Sequence, residues 1–259
     1  MRRSGILSAN WYDYPQYYDI AFQTHTWVEA DFIEAACRKY CPFDARRLLE
    51  PACGTGRLIT ELVARGCQVT GFDISQPALR YLRRRLERRR LHADTFEAEM
   101  SDFRVHRSAD AAYCMVNTFR HLLTEQAARS HLECIASSLR TGGIYVLGMN
   151  LVPSGAARWA ERRGKTKVTI TERVLRTHLR RRIEDVQVCL TVRRGSDEFR
   201  LRHDFQLRTY TRRQFRRLLA SVRSLELFDT YDFRYDIDRP FLNDEVTYGV
   251  LVLSRRSLS

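Results

Sequence analysis

The sequence predicts an α/β protein: a doubly wound, mainly parallel sheet of seven strands, with an antiparallel β insertion after the fifth strand. Three observations predict it. Strand-like and helix-like stretches alternate between residues 46 and 149, glycine turns punctuate that alternation, and past Pro153 long runs rich in Val, Thr, Ile and Arg take over with a two-residue period. The 259 residues, 44% of them hydrophobic, suffice for a buried core in one large domain or in a domain with an insertion.

Residues 1–45 divide into an aromatic segment and a helix. Between Asn10 and Phe22 stand Trp11, Tyr12, Tyr14, Tyr17 and Tyr18 without a clean period. Such a segment is either a lid over a pocket or a set of rings packed on the core. From residue 27 to 40, Val28, Phe32, Ala35 and Ala36 recur at helical spacing until Pro42 ends the pattern.

Residues 46–150 carry the parallel core. A first strand, Arg46-Arg47-Leu48-Leu49-Glu50, runs into Pro51-Ala52-Cys53-Gly54-Thr55-Gly56, where glycines let a backbone turn tightly and admit a ligand. By itself that fragment is equally an ordinary strand-to-helix turn. A helix over 58–65 stops at Gly66, and a second strand over 68–73 completes a strand-helix-strand unit. Its last residue, Asp73, lies 17 residues beyond Gly56, where such folds use an acid to accept ribose hydroxyls. Ser75 is positioned to cap the next helix, which leaves Asp73 free.

That helix, 77–90, has proline in its first turn and a solvated arginine-rich face. Residues 95–103 read as a short third strand followed by a polar turn, with Ser101 and Asp102 at the strand's carboxyl end. The fourth, 109–116, breaks at Asn117-Thr118-Phe119-Arg120-His121; a helix follows over 124–139, and Thr141-Gly142-Gly143 precedes the fifth strand, 144–149. Glu50, Asp73, Asp102 and Asn117 thus share the edge where parallel sheets bind ligands.

Residues 151–212 read as the insertion, with three antiparallel strands over 166–178, 182–193 and 198–210. In residues 213–259, a helix capped by Thr211 and two strands, 225–233 and 245–253, complete the core sheet.

Composition narrows the function classes. No stretch approaches the ~20 apolar residues of a membrane span, and Met1-Arg2-Arg3-Ser4-Gly5-Ile6-Leu7 lacks an apolar signal core, so a cytoplasmic location is expected. The seven cysteines form no Cys-x-x-Cys pair and have no histidines at metal-ligand spacing, so no metal site is expected. The net charge of +13 suits an anionic partner, but it is carried almost wholly by arginine spread along the chain. A nucleic-acid footprint would cluster on one face, so nucleic acid is not the favoured partner.

With Glu50-Pro51-Ala52-Cys53-Gly54-Thr55-Gly56, Asp73, Ser101-Asp102 and Asn117 in this order, residues 46–150 resemble a class I S-adenosylmethionine-dependent methyltransferase of the small-molecule type. The resemblance implies a Rossmann-like methyltransferase fold with S-adenosylmethionine as cofactor and S-adenosylhomocysteine as product. It implies that Ala52, Cys53, Gly54 and Gly56 pass under the methionine part, that Glu50 supports the amino group, and that Asp73 holds the ribose with Ile74 beside it. Ser101 and Asp102 would lie by the adenine, Asn117 near the sulfonium, and Tyr18 in the lid over the cofactor. Ala52 departs from the glycine common in the family, which is tolerable where the backbone there has negative φ.

In-line methyl transfer needs alignment and exclusion of water more than a strong base. A neutral amine needs only a hydrogen-bond acceptor, whereas a hydroxyl needs a general base, for which His121 is the candidate; the alternative is a histidine that packs locally. His178 and His203 of the insertion are weaker candidates. The acceptor expected is a small molecule methylated at nitrogen or oxygen, with an anionic one compatible with the charge, and the insertion is a candidate homodimer contact. A methyltransferase acting on RNA or protein and a non-catalytic S-adenosylmethionine-binding regulator are the competing readings.

Overall fold

The computed structural model describes residues 5–150, 155–241 and 248–257. A two-residue strand, β1 (Leu7–Ser8), leads through a 3-10 turn (Trp11–Asp13) into helices α1 (Pro15–Ala21) and α2 (Thr26–Tyr40). Pro15 opens α1 because its fixed φ suits a first helical turn. The alternating core follows as β2 (Arg47–Pro51), α3 (Arg57–Ala64), β3 (Gln68–Asp73), α4 (Gln76–Arg89), β4 (Asp94–Glu97), β5 (Ala109–Cys114), α5 (Glu125–Ser138) and β6 (Leu139–Asn150). The remainder comprises β7 (Ala157–Arg163), β8 (Thr166–His178), β9 (Ile183–Arg194), β10 (Asp197–Arg208), α6 (Arg212–Ala220), β11 (Leu225–Tyr231) and β12 (Tyr248–Arg255).

Seven strands form the main sheet in the order β11-β12-β6-β5-β2-β3-β4. β2 pairs in parallel with both β3 and β5, so strand order reverses beside β2 and leaves a crevice above its carboxyl end. Only β12 runs against the others, pairing antiparallel with both β6 and β11. One face of the sheet buries Leu132 and Ile135 of α5 and Phe215 and Leu218 of α6. The other buries Phe32 and Ile33 of α2, Leu58 and Ile59 of α3 and Leu79 and Leu82 of α4. Both faces being covered explains why β5 and most of β6 are buried without alternation.

Three expectations change. β6 begins at Leu139, so Thr141-Gly142-Gly143 lies within the strand: Leu139 pairs with Ala109 and Ile144 with Ala111, and the residues between Leu139 and Ile144 bulge out of β6. β4 ends at Glu97, so Ser101 and Asp102 belong to the turn beyond it and not to the end of the strand. The second sheet has five strands, β1-β10-β9-β8-β7, where three were expected. Its added members are edge strands, defined by hydrogen bonds to β8 and β10 and not by a period of their own. Residues 151–154 of the expected insertion, and 245–247 of the expected last strand, lie outside the described residues.

The aromatic N-terminal segment lies against the inner face of the second sheet. Trp11, Ile20 and Ala21 cluster there with Val168, Ile170, Val188, Leu190 and Leu201. Asp19, 1% exposed, holds α1 in place by accepting from Tyr81 Oη at 2.9 Å and Arg163 Nη1 at 2.7 Å, and by pairing with Arg85. Trp11 therefore packs as core, while Tyr12 and Tyr18 turn toward the crevice.

Candidate active site

A cleft of about 560 Å³ opens over the carboxyl ends of β2, β3 and β5. Its floor is Ala52, Gly54 and Thr55; Asp73, Ile74 and Ser75 come from the end of β3, Met100 from the turn after β4, and Val116, Thr118 and His121 from the turn after β5. Asn10, Tyr12, Asp13, Pro15 and Tyr18 of the N-terminal segment border it. Tyr18, Ala52, Gly54, Thr55, Val116 and Thr118 also line a void of about 40 Å³ that holds Glu50, Cys53 and Arg57.

The floor is built from left-handed backbone. Ala52, Gly54 and Gly56 have φ of 50°, 53° and 63°. The condition under which alanine would sit without strain, a negative φ, is not met at Ala52: the chain turns directly after Pro51 with this residue in the left-handed region. For an L-residue that conformation costs roughly 1–2 kcal/mol, a strain of the kind found at ligand-binding turns. A Cβ at Gly56 would meet Leu82 Cδ1 at 2.1 Å, so this glycine acts by admitting α4 close to the turn. Gly56 does not line the cleft.

Asp73 is not left free by the Ser75 cap. Its Oδ2 accepts the Gly54 N–H at 2.7 Å and its Oδ1 the Ser75 N–H at 2.7 Å, while Ser75 Oγ caps α4 at Ala78. Each oxygen keeps a second lone pair. Burial raises the Asp73 carboxyl, and the backbone donors at Ser75 and Gly54 oppose the shift. Asp73 thereby ties the glycine turn to the end of the neighbouring strand.

Below the turn, Glu50 accepts from Tyr113 Oη at 3.1 Å, and Arg57 pairs with Glu29 at 2.5 Å. Burial pushes the Glu50 carboxyl up to about 8, against the pull of Arg57 and Tyr113. Tyr18 is pushed up to about 12, chiefly by burial, and so carries its proton at neutral pH.

At the turn after β5, His121 Nε2 lies 3.1 Å from Tyr12 Oη. Burial first, then the charges of Arg120 and His203, lowers His121 to about 4, so the ring is neutral at physiological pH. Burial also holds the Tyr12 hydroxyl well above the ordinary phenol range. The His121 ring stacks on Phe205 at 5.6 Å, and Phe205 on His203 at 5.1 Å. Arg120 is fully buried, pairs with Glu184 and donates from Nε to Arg208 O at 2.9 Å, which anchors this turn to the second sheet.

Tyr18, Ala52, Gly54, Asp73, Ile74 and His121 are thus gathered around one cleft, with Glu50 and Cys53 in the void beside it. Ser101, Asp102 and Asn117 are at the sheet edge but do not line the cleft. Because β4 ends at Glu97 and folds into a turn closed by Asp102 N–H to Glu99 O, Met100 faces the cleft and Asp102 faces solvent. Asn117 spends its Oδ1 on the Asn150 N–H at 2.7 Å. His178 bonds Asp185 at 2.7 Å. Met100 and Val116 had no sequence signal as site residues, whereas Thr55 and Thr118 fall inside the glycine turn and the turn after β5 that the sequence marked. Val116 has φ of 55°, an outlier for a β-branched residue that only the folded backbone reveals.

A family model described as a methyltransferase domain matches residues 48–143. The chain is 29% identical over 199 residues to dTDP-3-amino-3,6-dideoxy-alpha-D-glucopyranose N,N-dimethyltransferase of Streptomyces fradiae, covering 75% of each chain. It is 37% identical over 117 residues to glycine N-methyltransferase of Oryctolagus cuniculus, a stretch that spans 39% of this chain and only 40% of that protein. The crystal structure of Streptomyces venezuelae DesVI superposes with a TM-score of 0.77 at 19% identity, over 93% of this chain and 96% of that one, a likeness of fold. The domain match runs from β2 into the start of β6, the stretch that supplies the glycine turn, the strand-end acid and the crevice, and the chain has the Rossmann-like fold of the S-adenosylmethionine-dependent methyltransferases it resembles.

Proposed function

We propose that the chain methylates an amine nitrogen of a small acceptor. The observation that carries this is the Tyr12–His121 pair in the same cleft as the Gly54–Asp73 turn. The residues present suit the cofactor. A cleft of about 560 Å³ is within the range of ligand pockets, Gly54 keeps its floor bare, and Asp73 retains lone pairs for ribose hydroxyls. Ile74 and Met100 offer apolar walls to an adenine, where Ser101 and Asp102 contribute backbone at most, and Glu50 with Arg57 offers a polar end to the amino acid part. Bound there, S-adenosylmethionine supplies an electrophilic methyl group on a sulfonium.

The chain's own part is to orient and to exclude water. With Tyr12 donating to His121 Nε2, the lone pairs of its oxygen remain to accept an N–H of the acceptor and to aim the nitrogen lone pair. The rings of Tyr12, Tyr18 and Phe205 keep that end dry. A His121 lowered to about 4 is a weak base, which favours an amine over a hydroxyl acceptor, since only the hydroxyl needs strong base assistance. The relatives named above, an aminosugar N,N-dimethyltransferase and a glycine N-methyltransferase, support the same choice.

Calorimetry tests the cofactor half. The wild type is expected to bind both S-adenosylmethionine and S-adenosylhomocysteine, and Asp73→Asn to bind at least about tenfold more weakly while keeping its circular dichroism, since a ribose hydrogen bond to a carboxylate is worth about 1.5–3 kcal/mol. No binding of either compound by the wild type refutes the proposal.

A further inference from the structure

The inner face of the second sheet is largely apolar, and of its buried charges Glu184 is paired with Arg120; another row carries an acid and an imidazole. Glu172 of β8 is opposite Val188 of β9, and Val188 is opposite His203 of β10, so these three side chains stand side by side on one face. The row beneath, Ile170, Leu190 and Leu201, is buried and wholly apolar. An acid and an imidazole on such a face require partners, because burying a polar group without a hydrogen bond is costly.

Neither has its full complement. No hydrogen bond or ion pair reaches the Glu172 carboxylate among the described residues. Its neighbour Arg120 is already engaged by Glu184 and by Arg208 O; burial raises the Glu172 carboxyl, the Arg120 charge opposes this from a distance, and Glu184 adds to the rise. Nδ1 of His203 is buried without a partner. The row adjoins the reacting end of the cleft: the His203 ring is 6.0 Å from Tyr12 and is linked to His121 through the stacked Phe205.

We infer that Glu172 and His203 form a recognition row for the hydroxylated part of the acceptor, beside the Tyr12–His121 pair. This rests on the methyltransferase reading above and narrows its acceptor. The two backbones are two strand spacings apart, about 9.5 Å, with the buried Val188 between them, so the two polar ends would take hydroxyls at the edge of an acceptor lying against Tyr12 and not a ring seated between the strands. A carboxylate takes hydroxyl or ammonium donors and repels phosphate or carboxylate groups. The acceptor class is therefore a hydroxylated amine, and any anionic group it carries lies away from this row.

The test uses the full chain saturated with S-adenosylhomocysteine, titrated calorimetrically with D-glucosamine and with cyclohexylamine. Wild type is expected to prefer glucosamine. Glu172→Gln should weaken glucosamine about tenfold and His203→Phe at least about threefold, with cyclohexylamine and S-adenosylhomocysteine affinities unchanged within about twofold. Should Glu172→Gln fail to fold, Glu172→Asp, which shortens the reach, is expected to weaken glucosamine in the same selective way. The inference is overturned if the wild type shows no preference or binds neither amine, if the variants leave glucosamine affinity unaltered, or if S-adenosylhomocysteine affinity falls in parallel. Loss of S-adenosylhomocysteine binding in the wild type itself would instead overturn the underlying methyltransferase proposal.

Discussion

Glu50 offers a test of the site that needs no acceptor. It is 8% exposed, and burial raises its carboxyl from the ordinary 4.5 to about 8 despite Arg57 and the Tyr113 hydrogen bond. The folded state therefore holds a proton on Glu50 between those two values, where the unfolded chain does not. The stability linked to this group is complete below pH 4.5 and is lost as pH rises through about 8. The slope is about 1.36 kcal/mol per pH unit, so between pH 5.5 and 7.5 the native state loses about 2–3 kcal/mol from Glu50 alone. Glu50→Gln keeps the shape and still accepts from Tyr113, but has no proton to lose. Urea unfolding of the cofactor-free wild type and of Glu50→Gln, at pH 5.5, 6.5 and 7.5, should show the variant gaining on the wild type by about that amount across the range. Comparing the two proteins cancels groups common to both, including Asp73. Parallel pH profiles would show that Glu50 is ionised throughout, and the argument from burial would fail.

Ala52→Gly removes the strain of a left-handed alanine at the expense of a more flexible unfolded chain, and should raise the unfolding free energy by about 0.5–1 kcal/mol in urea melts; a loss of stability would show that the methyl group packs usefully. Arg120→Met leaves Glu184 buried without its charge partner and should cost about 3–5 kcal/mol, while Arg120→Met combined with Glu184→Leu should recover much of that loss. Equal destabilisation in the single and double variants would mean that the pair is not the anchor of the His121 turn.

How much could be read from the sequence follows from how local each determinant is. The β2 to α4 unit was legible because its signals are short-range: a glycine turn directly after an apolar strand, a proline and a serine cap at the start of α4, and an acid at the end of β3. Two-residue alternation likewise revealed β9 and β10. β1 and β7 were not legible. Leu7–Ser8 and Ala157–Arg163 are strands because β10 and β8 present unpaired edges to them, and an edge partner leaves no period in the sequence that joins it.

The same distinction divides the site. The sequence by itself determined the parallel core, the glycine floor and the position of Asp73, since each follows from contacts within a few residues or from the fixed geometry of a strand-helix-strand unit. Only the tertiary structure decided that Ala52 and Val116 adopt positive φ, that Met100 replaces Ser101 and Asp102 at the cleft, and that Asn117 is spent on Asn150. It also brought Tyr12 to His121, 109 residues away, and set Glu172 and His203 in one row. The donor end of the cleft is made by neighbours in the chain; its acceptor end is made by three segments that meet only when the second sheet closes over the first.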